Sequence, residues 1–114
     1  MVETFKIPQG EITVLHSDQE SSIGLLYLAP GESLDKHNRT VEEELFQIQG
    51  QSVYTVFDGD NTKKIILNKG ESLILPSGQF HVHGNESREE SITFWRFVGD
   101  VTDVIQAIRD NFGK

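Results

Sequence analysis

Apolar side chains alternate along most of this chain and turn to a helical spacing only near its end. Residues 11–16 and 23–29 are short runs rich in Ile, Val, Leu and Tyr, and the polar stretch 17–22 between them predicts a β-hairpin. Pro30-Gly31 closes the second run with a turn signal. Residues 45–48 and 52–57 flank Gly50, and Asp58-Gly59-Asp60-Asn61 predicts a tight hairpin, because Gly and Asn tolerate the positive φ such turns need. The runs 62–67, 72–75, 79–84 and 91–98 complete a series of short strands with glycines at the corners, the signature of an all-β barrel or sandwich. From there Val101, Val104, Ile105, Ile108 and Phe112 recur at helical spacing and predict an amphipathic helix over residues 101–112. Asp100 or Thr102 is placed to cap its first turn and Gly113 stands just past its last. Its expected task is to cover an edge or mouth of the sheet structure. No linker interrupts the pattern, so one domain over residues 1–114 is expected.

Composition narrows the functional classes. With 36% hydrophobic and 25% charged residues the chain is ordinary for a globular protein. The net charge of −8 argues against a nucleic-acid backbone or an anionic membrane surface as partner. There is no cysteine, which excludes disulfides and thiolate chemistry and fits a reducing compartment. The N-terminal residues lack an apolar signal core, and no stretch approaches the roughly 20 apolar residues of a membrane-spanning helix. The expectation is a soluble, cytoplasmic protein.

The chemistry gathers between residues 31 and 85. Alternate side chains of a strand share a face, so His37 and Arg39 point one way together, as do His81 and His83. The interior is the natural destination of both pairs. Glu43 has the parity to join them, while Glu42 and Glu44 project outward. Two neutral imidazoles and a carboxylate suit a divalent transition metal, Fe, Mn, Ni, Co or Zn, and leave positions open for water or substrate. Against that stands a plainer reading, in which each histidine is a hydrogen-bonded core or surface residue and Glu42-Glu43-Glu44 is a solvated acidic run. That plainer reading is preferred for His16, beside an early loop. Tyr54, Gln47, Phe80, Trp95 and Phe97 are candidates for lining a pocket, although barrel core is the competing assignment for each aromatic.

Both halves of this region open with Gly-Glu-Ser-Leu, and their spacing resembles the two motifs of the cupin superfamily. Gly31, His37, Glu43 and Gly50 fall in step with the first motif, over residues 31–50. Gly70, Pro76, Gly78, His81 and Asn85 meet the second, over 70–85. The one departure is Arg39, which stands where the first motif carries a second histidine. The resemblance implies a double-stranded β-helix, or jelly-roll, barrel with the C-terminal helix appended. It implies a metal held by His37, Glu43 and His81, with His83 either a pocket wall or a replacement for the missing imidazole. It also implies dioxygenase- or isomerase-like chemistry on a small organic molecule, for which His83 and Tyr54 are candidate proton shuttles. A binding or sensing module without turnover, with or without metal, is the alternative, since the fold hosts both roles.

Arg39 bears on both. A fixed positive charge about 5 Å from a divalent cation costs on the order of 6 kcal/mol at an effective dielectric near 20. Either its guanidinium turns to a substrate anion or an outer glutamate, or it pairs with Glu43 and the pocket holds no metal. Arg39, Gln47, Tyr54, Phe80 and Trp95 are therefore the expected ligand-binding set. Small cupins resemble one another in forming dimers through outer strands. The apolar segments 12–15 and 23–28, hard to bury in a chain this short, point to a homodimer as well.

Overall fold

The computed structural model describes residues 2–113. Nine strands and one helix follow in the order β1 (Glu3–Ile7), β2 (Gly10–Ser17), β3 (Ser22–Leu28), β4 (Glu42–Gln49), β5 (Gln51–Asp58), β6 (Asn61–Asn68), β7 (Ser72–Leu75), β8 (His81–Gly84), β9 (Ser91–Val98) and α1 (Thr102–Phe112). They form an antiparallel six-stranded sheet, β1-β2-β3-β9-β4-β7, facing a three-stranded sheet, β6-β5-β8. Between β3 and β4 the chain adds two isolated bridges, Ser33 to Gly84 and His37 to His81, which fasten the first motif along β8.

Alternation fixes what faces inward. In β3 the sequence Ser-Ile-Gly-Leu-Leu-Tyr-Leu buries every second residue, and β9 does the same with Ser91, Thr93, Trp95 and Phe97. The inner faces of the two sheets enclose Leu26, Leu28, Leu45, Tyr54, Leu75, Trp95 and Phe97. Each large apolar side chain removed from water contributes about 1.5–3 kcal/mol, and this is the main source of stability. Gly24 lies opposite Trp95 in the β3–β9 register, where a Cβ would collide with the indole ring and with the Thr13 carbonyl. Its missing side chain is what lets Trp95 lie across the sheet.

Several expected boundaries move. β1 lies in a segment that the alternation pattern left unassigned, and it pairs with β2 over five residues, so β2 is not an outer strand. The segments 12–15 and 23–28 consequently bury Val14, Leu26 and Leu28 within the chain. The outward apolar side chains lie elsewhere, at Phe46 and Ile48 of β4, Ile74 of β7 and Val98 of β9. β4 begins at Glu42, inside the acidic run, because Glu43 turns in while Glu42 stays exposed and Glu44 bonds Arg96 at 2.8 Å.

α1 lies against β1 and closes one side of the barrel. Val101 and Ile105 are its buried anchors, and Arg109 makes a two-pronged contact with the Glu3 carboxylate. The N-cap is Val101, which has no side-chain cap, so neither Asp100 nor Thr102 caps the helix as expected; the Asp100 Oδ1 instead accepts the N–H and the hydroxyl of Thr102 in the turn leading into it. Among the described residues no helix is long and apolar enough to cross a membrane.

Candidate functional site

The two motif segments meet at the mouth of the barrel. The His37 N–H donates to the His81 carbonyl at 3.0 Å and the His81 N–H returns the bond at 2.9 Å. This exchange sets the imidazoles edge to face, with ring centroids 4.4 Å apart. Each ring is also held from behind, His37 Nδ1 lying 2.8 Å from the Asp35 carbonyl and His81 Nδ1 3.0 Å from the Gln79 carbonyl. A carbonyl can only accept, so both Nδ1 atoms carry the proton and donate. Both Nε2 atoms therefore keep a free lone pair.

Glu43 enters from β4. It is buried, and its Oε1 lies 3.5 Å from His81 Nε2 but accepts no hydrogen bond among the described residues. Burial pushes its carboxyl up to about 7, against the opposing pull of the Arg39 charge. Burial likewise pulls His37 down to about 4 and lowers His81, so both rings are neutral near pH 7.

Arg39 shares this wall. Burial lowers its pKa while Glu43 and Asp103 raise it, and a guanidinium remains charged regardless. Among the described residues its guanidinium makes one hydrogen bond, from Nη1 to the Asn38 carbonyl, and its Nε is buried without a partner. Among the described residues Arg39 and Glu43 form no direct ion pair, and the neutral His81 ring lies 3.5 Å from the Glu43 carboxylate.

His83 lies one layer deeper. Its Nε2 is 2.9 Å from the Ser52 hydroxyl and its ring stacks on Tyr54 at 4.3 Å between centroids. Burial drives it down to about 3, so it too is neutral. With Nε2 engaged, it stands behind the other two histidines as a wall of the cavity. Below it a closed polar network fills the barrel floor. The Gln47 amide donates to the Gln49 carbonyl and the Ser91 hydroxyl and accepts from Thr93, while Ser52 lies between Ser91 and Thr93. Gln47 thus spends its side chain inside the core and does not reach the cavity, contrary to expectation. Tyr54 is also fully enclosed, its hydroxyl without a partner and its pKa raised by burial. Phe80 is 47% exposed and lies outside, near the Lys36 ammonium, so it too leaves the expected pocket set. Trp95 and Phe97 do line the cavity.

That cavity has a volume of about 70 Å³ and opens to solvent at its mouth. Besides His37, Arg39, Glu43, His81 and His83 it is lined by Ile12, Leu26, Leu34, Leu45 and, from α1, Val104, Ile105 and Ile108. An outer groove along α1 continues from it and shares His37 and Arg39. The helix wall was not foreseen as part of a site, because its spacing shows which face is apolar and not what that face encloses.

For a divalent metal, the donor chemistry fits: two anchored imidazoles with free Nε2 lone pairs beside a carboxylate oxygen that lacks any partner. Among the described residues, however, no three His, Asp or Glu groups already stand in the arrangement of a metal site.

Comparison with known proteins agrees with the geometry. The Cupin domain family model matches residues 24–97. A gentisate 1,2-dioxygenase from a Ralstonia species is 30% identical over 67 residues, which is 59% of this chain but 18% of that protein, so the chain spans under a fifth of the curated relative. Oxalate decarboxylase of Bacillus subtilis, a protein with Mn(II) centres, superposes with a TM-score of 0.77 at 20% identity over 86% of this chain and 28% of its own. A conserved protein with a double-stranded β-helix domain from Klebsiella pneumoniae superposes at 0.70 with 20% identity, covering 79% and 76% of the two chains.

Proposed function

Because this chain belongs to the cupin domain family, we propose that its cavity binds a divalent transition metal through His37, Glu43 and His81 and takes a small organic anion against Arg39. The observation that carries this reading is the pairing of two Nδ1-anchored imidazoles with an unpartnered, buried Glu43 oxygen. When bound, the metal supplies Lewis acidity or oxygen activation, the basis of dioxygenase- or isomerase-like chemistry. The chain's own residues divide the remaining work. The carbonyls of Asp35 and Gln79 fix ring orientation, Arg39 offers unsatisfied donors to an anion, and α1 with the apolar walls excludes water. His83, neutral and bonded to Ser52, stiffens the wall behind His81; Tyr54 supports His83 in turn. Mn(II) titrated into chelator-treated protein should bind near one equivalent to the wild type and not to His81→Ala. Equal binding by both would defeat the assignment.

A second reading, a metal-free binding module, is favoured by the fixed charge of Arg39 and by the uncollected donors. In that case the same anion binds and Mn(II) does not. We further infer a cytoplasmic homodimer, joined through the outward apolar side chains of β4 and β7.

A further inference from the structure

The cavity is divided in character. Its polar groups all come from the first motif, β4 and β8, and Arg39 is the only cation among them. The remaining walls are apolar, chiefly Leu26, Trp95 and Phe97 from the six-stranded sheet and Val104 and Ile108 from α1. Apart from the Trp95 indole N–H, such a wall offers a ligand no hydrogen bonds. A sugar would surrender the water around its hydroxyls without replacement, and in the metal-free cavity the second carboxylate of a compact dianion would meet Glu43 or hydrocarbon in place of a second cation. Arg39 lines both the inner cavity and the outer groove, so an anion held there has its body directed along the apolar walls. The buried Arg39 Nε, without a partner among the described residues, is a donor waiting for an acceptor.

We propose, building on the anion reading above, that the ligand is a monocarboxylate with an apolar body, aromatic or branched aliphatic, clasped between Arg39 and the wall made by Trp95, Phe97 and α1. A compact dicarboxylate or a sugar acid is a poor occupant. Each methylene or its equivalent buried there raises affinity about fourfold, at ~0.8 kcal/mol per methylene.

Trp95, the one tryptophan of the chain, lines the cavity and reports directly on occupancy. Its fluorescence would be followed while benzoate, 3-methylbutanoate, acetate and oxalate are titrated into the protein as purified and again after chelator treatment. Benzoate and 3-methylbutanoate are expected to bind at least about tenfold tighter than acetate in both preparations. Val104→Thr, which changes shape little and places a hydroxyl in the wall, should weaken benzoate several-fold and leave acetate and metal content unchanged. Ile108→Ser should do the same more strongly, with melting curves confirming that both variants fold. Acetate or oxalate binding as tightly as benzoate in the chelator-treated protein would overturn this inference alone. No carboxylate binding at all, or binding indifferent to Arg39→Gln, would overturn both it and the anion reading beneath it.

Discussion

Two buried polar atoms in the cavity wall, Arg39 Nε and Glu43 Oε1, have no partner among the described residues. Leaving such atoms unpaired costs about 1–3 kcal/mol each, so the fold tolerates a local penalty where a ligand would relieve it. Replacing Arg39 by alanine should raise metal occupancy or leave it unchanged, while affinity for a carboxylate falls by about 1.5–3 kcal/mol, measurable by calorimetry. Stability of the metal-free protein should respond to pH in two opposing ways. The buried histidines have folded pKa values below their unfolded value, so the unfolded state binds more protons in acid and stability drops as pH falls below about 6.5, toward about 4 for His37 and about 3 for His83. Glu43, raised to about 7, acts oppositely and loses stability as pH rises from about 4.5 to 7. The two trends partly cancel in between, and melting temperature should fall most steeply below about pH 4.5. A His83→Gln variant should lose one proton's share of that acid slope, about 1.4 kcal/mol per pH unit. At this scale the meeting of His37, Glu43 and His81 at one cavity was legible because fixed offsets carry them, while their role as ligands is the proposal. Phe80 was avoidable by parity alone, since the neighbour of an inward His81 must point out. Gln47 shares the inward parity of Glu43 but lies two layers deeper, and parity says nothing about depth. For His83 the pattern leaves wall and ligand both open: residues two apart on one strand are about 6–7 Å apart along the barrel axis, enough to separate one layer of side chains from the layer beneath it.

The elements hold the site by a few contacts that can be broken singly. Asn85, fully buried, donates to the carbonyls of Leu28, Ala29 and Glu89 and accepts from the Ser87 N–H and hydroxyl, tying β8 to the loop before β9. Asn85→Ala should cost about 2–4 kcal/mol in chemical denaturation, because it strands several buried backbone groups. Gly24→Val should cost as much or more by forcing Trp95 off the sheet, and near-ultraviolet circular dichroism would show the displaced indole. Arg109→Ala, in contrast, removes a partly exposed, solvent-screened pair with Glu3 and should cost far less than either. The strands from 22 onward were readable from alternation. β1 was not, because only Phe5 and Ile7 mark it and its pairing with β2 decides its conformation. Gly50 illustrates the opposite case: its φ of 70° and the nearness of the Glu90 carbonyl leave no room for a Cβ, and its place at the motif's end already said so.

For the whole molecule, the barrel architecture and the closing helix were legible because short alternating strands, corner glycines and one helical stretch all agree. The shape of the cavity was not, since it depends on how α1 docks. The outward Phe46, Ile48 and Ile74, the last 58% exposed, form an apolar patch on the β4–β7 side of the larger sheet. Light scattering at micromolar concentration should report a dimer, and Phe46→Glu should yield a folded monomer; a monomeric wild type would contradict this. The claim at the centre, that His37, Glu43 and His81 hold a transition metal despite Arg39, is tested most directly by elemental analysis of protein purified without chelator. The account predicts close to one Mn, Fe, Co, Ni or Zn per chain, lost in His81→Ala, and a melting temperature lowered by EDTA. A metal-free protein whose melting temperature is indifferent to all five ions would contradict it.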